Sequence, residues 1–239
     1  MQIIWHGQSC FQIVAHREKN NQVLIVIDPF SEEIGLRVPK LEADILLITH
    51  HHYDHNNIRA VSGNPFLIEG AGEYEIKEAF IQGIPSWHDN LLGKERGTNT
   101  IYTIEAEGMR LCHLGDLGQK ELTADQLEKI GEIDILMIPV GGTYTISTKE
   151  APKIMAQIEP KIIIPMHYQI PKLKIHPAPY APSIRDKKKI KELGGGVKLD
   201  GLDKFLKTMG IKSIEPLSKL LIKKKDLSEE EVKIIVLKP

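Results

Sequence analysis

The stretch from Ile45 to His55 reads ILLITHHHYDH, in which an apolar run is followed at once by four histidines and one aspartate. Four successive apolar residues are typical of a short strand that is buried on both faces. Since side chains alternate along a strand, His50 and His52 are expected to point the same way where the chain leaves it. Imidazole nitrogens and a carboxylate packed this closely favour a zinc-like metal site over a polar surface loop.

Three further candidate donors lie in separate segments, each just beyond a different apolar run. A single histidine after a strand is more often a structural residue than a ligand. Loops at strand ends build the ligand-binding crevice of open α/β sheets, so the coincidence of three segments predicts one shared site. The donors are His88 after Ile81–Pro85, Asp116 after Met109–Leu114, and His167 after Ile162–Pro165.

Short β-type runs fill the first half of the chain, whereas strands alternate with helical patterns in the second half. The helices are predicted at residues 123–130, 149–158 and 202–209. This order predicts a layered α/β sandwich, and we expect residues 1–239 to form a single domain. The segment 171–196, rich in proline and glycine, is predicted as an inserted loop.

Composition and charge exclude several classes of protein. An apolar fraction of 41% with 26% charged residues is ordinary for a globular chain. A net charge of −1 gives no indication of a nucleic-acid or membrane partner, and no apolar stretch is long enough to cross a bilayer. Cys10 and Cys112 are too few for a disulfide framework. Because no secretory signal is recognisable, we expect a cytoplasmic protein that acts on a small molecule; its oligomeric state stays open.

The order His-x-His-x-Asp-His, a lone His, a Gly-Asp and a final His resembles the metallo-β-lactamase superfamily from Met1 to about Tyr168. Asp28-Pro29 is similar to the family's first motif, in which the aspartate supports the metal loop. The opening with Trp5 is closest to the branch of hydrolases related to L-ascorbate-6-phosphate lactonase. The resemblance implies a four-layer αββα sandwich with the site at one edge between the sheets.

The same resemblance implies a site for two divalent metal ions, with zinc first and manganese or iron as alternatives. Asp54 and Asp116 would orient the attacking water as the catalytic residues. The implied activity is hydrolysis of an ester, lactone or phosphoester bond by a hydroxide held between the ions. The first ion would be held by His50, His52 and His88, the second by Asp54, His55 and His167, and Asp116 would bridge the two.

Several alternatives stay open. A phosphodiesterase or nuclease would need a basic groove, and the near-neutral net charge gives no sign of one. A catalytically silent metal-binding protein would need a metal site that is closed to water. Asp116 in place of a cysteine argues against β-lactamase activity, and Gln8 stands where members of the branch often have histidine. Arg96 is interpreted either as a partner for an anionic substrate group or as a surface charge, and His6 as a pocket or a structural residue.

Overall fold

Two β-sheets share one apolar core in a computed structural model, which describes residues 1–16, 21–175, 197–228 and 231–239. The first sheet has the order β14-β1-β2-β3-β5-β7 and the second the order β15-β13-β12-β11-β10-β9-β8, while β4 and β6 form a separate pair. The strands are β1 (Gln2–Gly7), β2 (Cys10–His16), β3 (Gln22–Ile27), β4 (Leu41–Glu42), β5 (Ile45–Leu47), β6 (Val61–Ser62), β7 (Phe66–Ile68), β8 (Gly72–Ile76), β9 (Ala79–Trp87), β10 (Thr98–Ala106), β11 (Met109–His113), β12 (Ile135–Pro139), β13 (Ile162–Met166), β14 (Leu220–Leu221) and β15 (Lys233–Ile234).

The direction of the strands brings the candidate donors to related positions. In the first sheet β3, β5 and β7 are parallel, so the histidine-rich loop leaves the end of β5 beside the end of β3. In the second sheet β11, β12 and β13 are parallel, and β9 runs the same way because both β9 and β11 are antiparallel to β10. His88, Asp116 and His167 therefore all follow strands that end at one edge of the second sheet.

Within the described residues, three short α-helices accompany the sheets: α1 (Ala124–Ile130), α2 (Ala151–Ile158) and α3 (Leu202–Thr208). The prediction for α1 is confirmed, since the Thr123 side chain accepts a hydrogen bond from the backbone N–H of Gln126 and the helix ends at Gly131. Helix α2 begins two residues later than expected. In the described part of the chain, no helix is long and apolar enough to span a membrane.

Some predicted boundaries differ from the structure. Strand β8 was not predicted, because the alternating polar residues from Gly72 to Ile76 lie on an exposed sheet edge and carry a weak apolar signal. The apolar run from Val232 to Leu237 has the pattern of a strand, but only Lys233–Ile234 pair within the second sheet. Of the predicted inserted loop, residues 176–196 lie outside the described residues. Its beginning is tied to the core by buried Leu173 and Ile175.

Tyr102, on β10, links the two sheets just before the histidine-rich loop. Its side chain is fully buried, and its hydroxyl lies 2.9 Å from the carbonyl oxygen of Ile48 and 3.2 Å from that of Ile68. The same hydroxyl accepts a hydrogen bond from the backbone N–H of Gly70 at 2.9 Å. The ends of β5 and β7 are thereby fixed against the second sheet.

Tyr102→Phe is expected to lower the free energy of unfolding by about 1–3 kcal/mol, because the half-buried N–H of Gly70 and the buried carbonyl of Ile48 lose their partner. Urea unfolding measures the change. Tyr74→Phe is the matched control: this half-buried hydroxyl forms no hydrogen bond within the described ranges, so its loss should cost less than about 0.5 kcal/mol. Equal stability of Tyr102→Phe and the wild type would contradict the proposed link.

Asp134 ties three strands of the second sheet to the C-terminal segment. Its carboxylate accepts hydrogen bonds from the backbone N–H of Arg110 at 2.9 Å and from Lys224 Nζ at 2.8 Å, and Lys161 Nζ lies 3.3 Å away. Its backbone carbonyl accepts from the N–H of Ile162. Burial opposes ionisation of this carboxyl, but the hydrogen bonds from Lys224 and Arg110 outweigh burial and lower its pKa below the usual value of 3.8.

Because the pKa of Asp134 is lower in the folded than in the unfolded chain, its carboxylate stabilises the fold above about pH 4, and this stabilisation disappears as the pH falls through the folded pKa. Asp134→Asn should therefore lose about 1–2 kcal/mol at neutral pH, after allowance for the exposed lysine. The difference from the wild type should narrow in acid-unfolding series below about pH 4. Asp125→Asn, which removes a 73% exposed carboxylate, should show no such trend.

Candidate metal centre

The Asp28 carboxylate organises the loop that follows β5. It accepts hydrogen bonds from the backbone N–H of Thr49 at 2.8 Å, from the Thr49 hydroxyl at 2.7 Å and from His55 Nδ1 at 2.9 Å. Since the hydroxyl proton of Thr49 is donated to Asp28, its oxygen accepts a hydrogen bond from His50 Nδ1 at 2.9 Å. Asp28 thus sets the tautomer of both histidines and leaves each Nε2 free to bind a metal.

Three imidazoles converge at the first half of the centre. His52 Nδ1 lies 3.0 Å from His50 Nε2 and 3.2 Å from His88 Nε2. His88 donates its Nδ1 proton to the backbone carbonyl of Tyr144 at 3.1 Å, so its Nε2 also carries a lone pair. All three imidazoles are buried. The three nitrogens therefore form a compact donor set that strands β5 and β9 bring together.

A second set lies beside the first. Ligand atoms of Asp54, His55 and His167 lie within 4.8 Å of one another, and all three side chains are buried. The Gln8 side-chain amide donates to Asp54 Oδ2 at 2.9 Å, and the Gln8 backbone carbonyl accepts the backbone N–H of His167 at 3.0 Å. Gln8 therefore supports two members of this set.

Asp116 lies between the two sets. Its Oδ2 is 3.3 Å from His55 Nε2, 3.2 Å from His167 Nε2 and 3.3 Å from His88 Nε2. The distance to His50 Nε2 is 3.9 Å. One carboxylate oxygen thus lies close to donors of both sets, as the predicted bridging role of Asp116 requires.

The backbone before Asp116 is held by long-range contacts. Asn99 accepts the backbone N–H of Asp116 at 2.9 Å and donates to the carbonyl of Leu114 at 2.9 Å. Gly115 adopts a φ of +56°, and a Cβ at this position would lie 2.3 Å from Asn99 Oδ1. His113 donates Nε2–H to the carbonyl of Ser9 and accepts the N–H of Gly115 through Nδ1. His113 is therefore a packed structural residue.

Burial and neighbouring charges divide the ionisable groups of the centre into two kinds. Burial, followed by neighbouring imidazoles, holds the pKa of His50 well below its usual range and lowers that of His52 to about 4. Burial also opposes protonation of His55, but the carboxylates of Asp116, Asp54 and Asp28 outweigh it and raise its pKa. The first set is neutral near pH 7, whereas His55 lies in a strongly negative surrounding that favours a cation.

Metal ligation would give a partner to imidazole nitrogens that hydrogen bonds alone leave without one. The Nε2 atoms of His50 and His88 both face His52 Nδ1, which has at most one proton to share. Tetrahedral zinc, with Zn–N distances of about 2.0–2.1 Å, separates its donors by roughly 3.3 Å, close to the spacing of these nitrogens. His55 Nε2 and His167 Nδ1 are buried without a hydrogen-bond partner. The residues present therefore fit a pair of cations.

All seven residues predicted to bind metal are brought to this one place, although their roles as ligands stay predictions. His51 points outward, with 61% of its side chain exposed, and lies 3.8 Å from Glu69. His6 contacts Gln12 on the neighbouring strand. Sequence reasoning missed the support given by Asn99 and by the backbone of Tyr144. Neither residue has a local signal, because their partners lie far away in the sequence.

Comparison with known proteins agrees with this geometry. The profile of the beta-lactamase superfamily domain matches residues 2–167. A UPF0173 metal-dependent hydrolase of Thermococcus onnurineus is 28% identical over 212 residues, which cover 77% of this chain and 92% of that protein. Another of Staphylothermus marinus is 31% identical over 193 residues, covering 68% and 81%.

A crystal structure from Thermotoga maritima, of a protein described as a Zn-dependent hydrolase of the metallo-beta-lactamase superfamily, is also similar. It has 32% sequence identity and a TM-score of 0.70, and the match covers 99% of both chains. The expected sandwich fold is thereby confirmed. This chain belongs to the metallo-β-lactamase superfamily.

Proposed function

We propose that this chain is a metal-dependent hydrolase that cleaves an ester, lactone or phosphoester bond of a small molecule with the help of two divalent ions, zinc first, or manganese or iron. The observation that carries the proposal is the position of Asp116 Oδ2 within 3.3 Å of His55, His88 and His167. His50, His52 and His88 would hold the first ion, Asp54, His55 and His167 the second, and Asp116 both. The metal-dependent hydrolases among its relatives support the same activity.

The residues of the chain divide the remaining tasks. Two divalent ions held close together activate a water molecule and stabilise negative charge on the group under attack. Asp54 and Asp116 would offer acceptor oxygens that orient the water molecule. Gln8 fixes the Asp54 carboxylate through its hydrogen bond at 2.9 Å, and Asp28 fixes the imidazoles of His50 and His55. No nucleophilic side chain is required for this chemistry.

Metal content tests the ligand assignment. The wild type should bind two ions per chain after reconstitution. Asp116→Ala should weaken the binding of both, whereas His52→Ala should weaken the first, in each case by at least about tenfold. Elemental analysis and zinc titration measure the content. His51→Ala, which alters an exposed neighbour in the same run, should keep both ions. Unchanged metal content in both Asp116→Ala and His52→Ala would refute the assignment.

Activity tests the reaction class. A chelator should abolish hydrolysis of a lactone, an ester or bis(para-nitrophenyl) phosphate, and zinc, manganese or iron should restore it. Asp54→Asn should lower turnover by roughly 10²-fold or more, because the water loses an oriented acceptor. Initial rates on a panel that includes single-stranded RNA measure the outcome. Cleavage of RNA alone would favour a nuclease, and two bound ions without any hydrolysis would favour a catalytically silent protein.

A further inference from the structure

Arg96 is a half-buried cation beside the metal centre. It lines a cavity of about 280 Å³ together with His50 and His52. It also lines a second cavity, which is walled by His88 and Tyr144. Arg96 therefore lies between two cavities, each of which is also lined by at least one histidine of the metal centre. A compact cavity of this size suits a small molecule.

The loop that carries Arg96 is built around the buried carboxylate of Asp89. This carboxylate accepts hydrogen bonds from the backbone N–H groups of Leu91, Gly93, Glu95 and Arg96 at 2.8–3.0 Å. Burial opposes ionisation of Asp89, but the four N–H donors outweigh it and lower its pKa. Since Asp89 directly follows His88, the loop keeps a fixed position relative to the metal centre.

The guanidinium of Arg96 is held by an aromatic ring instead of by a carboxylate. Its Cζ lies 3.3 Å from the centroid of the Tyr144 ring, and stacking of this kind leaves the N–H groups in the guanidinium plane free to donate. The same tyrosine accepts the Nδ1 proton of His88 through its backbone carbonyl. Tyr144 thus couples the position of Arg96 to that of a proposed ligand.

Lys120 and His51 line the same two cavities, and each has an acidic neighbour. Lys120 lies 3.5 Å from Glu150, and His51 lies 3.8 Å from Glu69, which also lines the smaller cavity. Within residues 1–16, 21–175, 197–228 and 231–239, no acidic side chain forms an ion pair with Arg96. A fixed guanidinium that faces a cavity with its donors unused is suited to an oxyanion from outside the chain.

We infer that Arg96 binds an anionic group of the substrate, a carboxylate or a phosphate, in the smaller cavity while the bond to be cleaved lies at the metal centre. This inference rests on the proposed hydrolase function. The planar guanidinium can donate two parallel hydrogen bonds to either oxyanion. Arg96 is thus a residue that determines specificity, and neutral molecules are poorer substrates than anionic ones of the same size.

A matched pair of esters tests the preference. Para-nitrophenyl hydrogen succinate carries a carboxylate, whereas para-nitrophenyl 4-methylpentanoate is a neutral ester of the same size. Arg96→Met should lower the ratio of kcat/KM for the anionic ester to that for the neutral ester by about 10- to 100-fold, chiefly through KM. Lys120→Met is the matched control, because it removes a paired cation of the other cavity and should leave the ratio unchanged.

Anion binding without turnover separates this inference from the hydrolase proposal. Calorimetric titration of the metal-loaded protein with acetate and with inorganic phosphate should give an affinity at least about tenfold weaker in Arg96→Met than in Lys120→Met. The anion whose affinity falls more in Arg96→Met shows whether Arg96 binds a carboxylate or a phosphate group of the substrate. If the wild type hydrolyses neither these esters nor the lactone and the phosphodiester named above, the hydrolase proposal fails, yet such a loss of affinity still supports Arg96 as an anion site.

The inference would be overturned if Arg96→Met, with both ions bound, had the same anion affinity and the same ratio of kcat/KM for the two esters as the wild type. The hydrolase proposal would remain intact. Metal content and thermal unfolding check that each variant is folded. If Arg96→Met loses its metals, the same measurements are made on Arg96→Lys, since this variant keeps the charge but not the planar pair of donors. An intermediate ratio is expected for this variant, and a wild-type ratio would contradict the role.

Discussion

The Asp28 carboxylate is the constraint on which the metal centre depends. It accepts three hydrogen bonds from the loop after β5, and through the Thr49 hydroxyl it also directs His50. Imidazoles that were free to rotate would expose their lone pairs to water, and ligation would then require the loss of this freedom. Asp28 itself is not one of the proposed metal ligands. It preorganises the histidines that are proposed to bind the ions, and this support accounts for the burial of so many polar groups in one place.

The second sheet completes the centre because its strands deliver donors at one edge. Asp116 reaches both donor sets only because Asn99 and Gly115 shape the turn after β11. His167 comes from the end of β13, where a Cβ at Gly141 would lie 2.0 Å from the His167 carbonyl oxygen, so only glycine permits this close approach. Tyr102 fixes the two sheets relative to one another beside the loop. Precision at the metal centre is therefore a property of the packing between sheets.

The proposed anion site has the same construction as the metal centre. In each, a buried aspartate at the end of a strand orders a loop through hydrogen bonds. Asp28, after β3, accepts one backbone N–H and two side-chain donors, and Asp89, after β9, accepts four backbone N–H groups. The side chains that meet a ligand are then presented from a rigid support. Tyr144 connects the two sites, because its carbonyl orients His88 while its ring carries Arg96. A substrate bound at both sites would be held by groups whose positions are set together.

The sequence by itself determined the donor types and the fold class. The run from His50 to His55 after a buried strand, with later donors after other apolar runs, identified the seven candidates, because ligand chemistry leaves a local pattern. Tertiary structure decided which Asp116 oxygen lies between the two sets, that Asn99 supports it, and that Arg96 rests on Tyr144. These contacts join residues far apart in the chain, and no local pattern encodes them, since their geometry arises only when two sheets pack together.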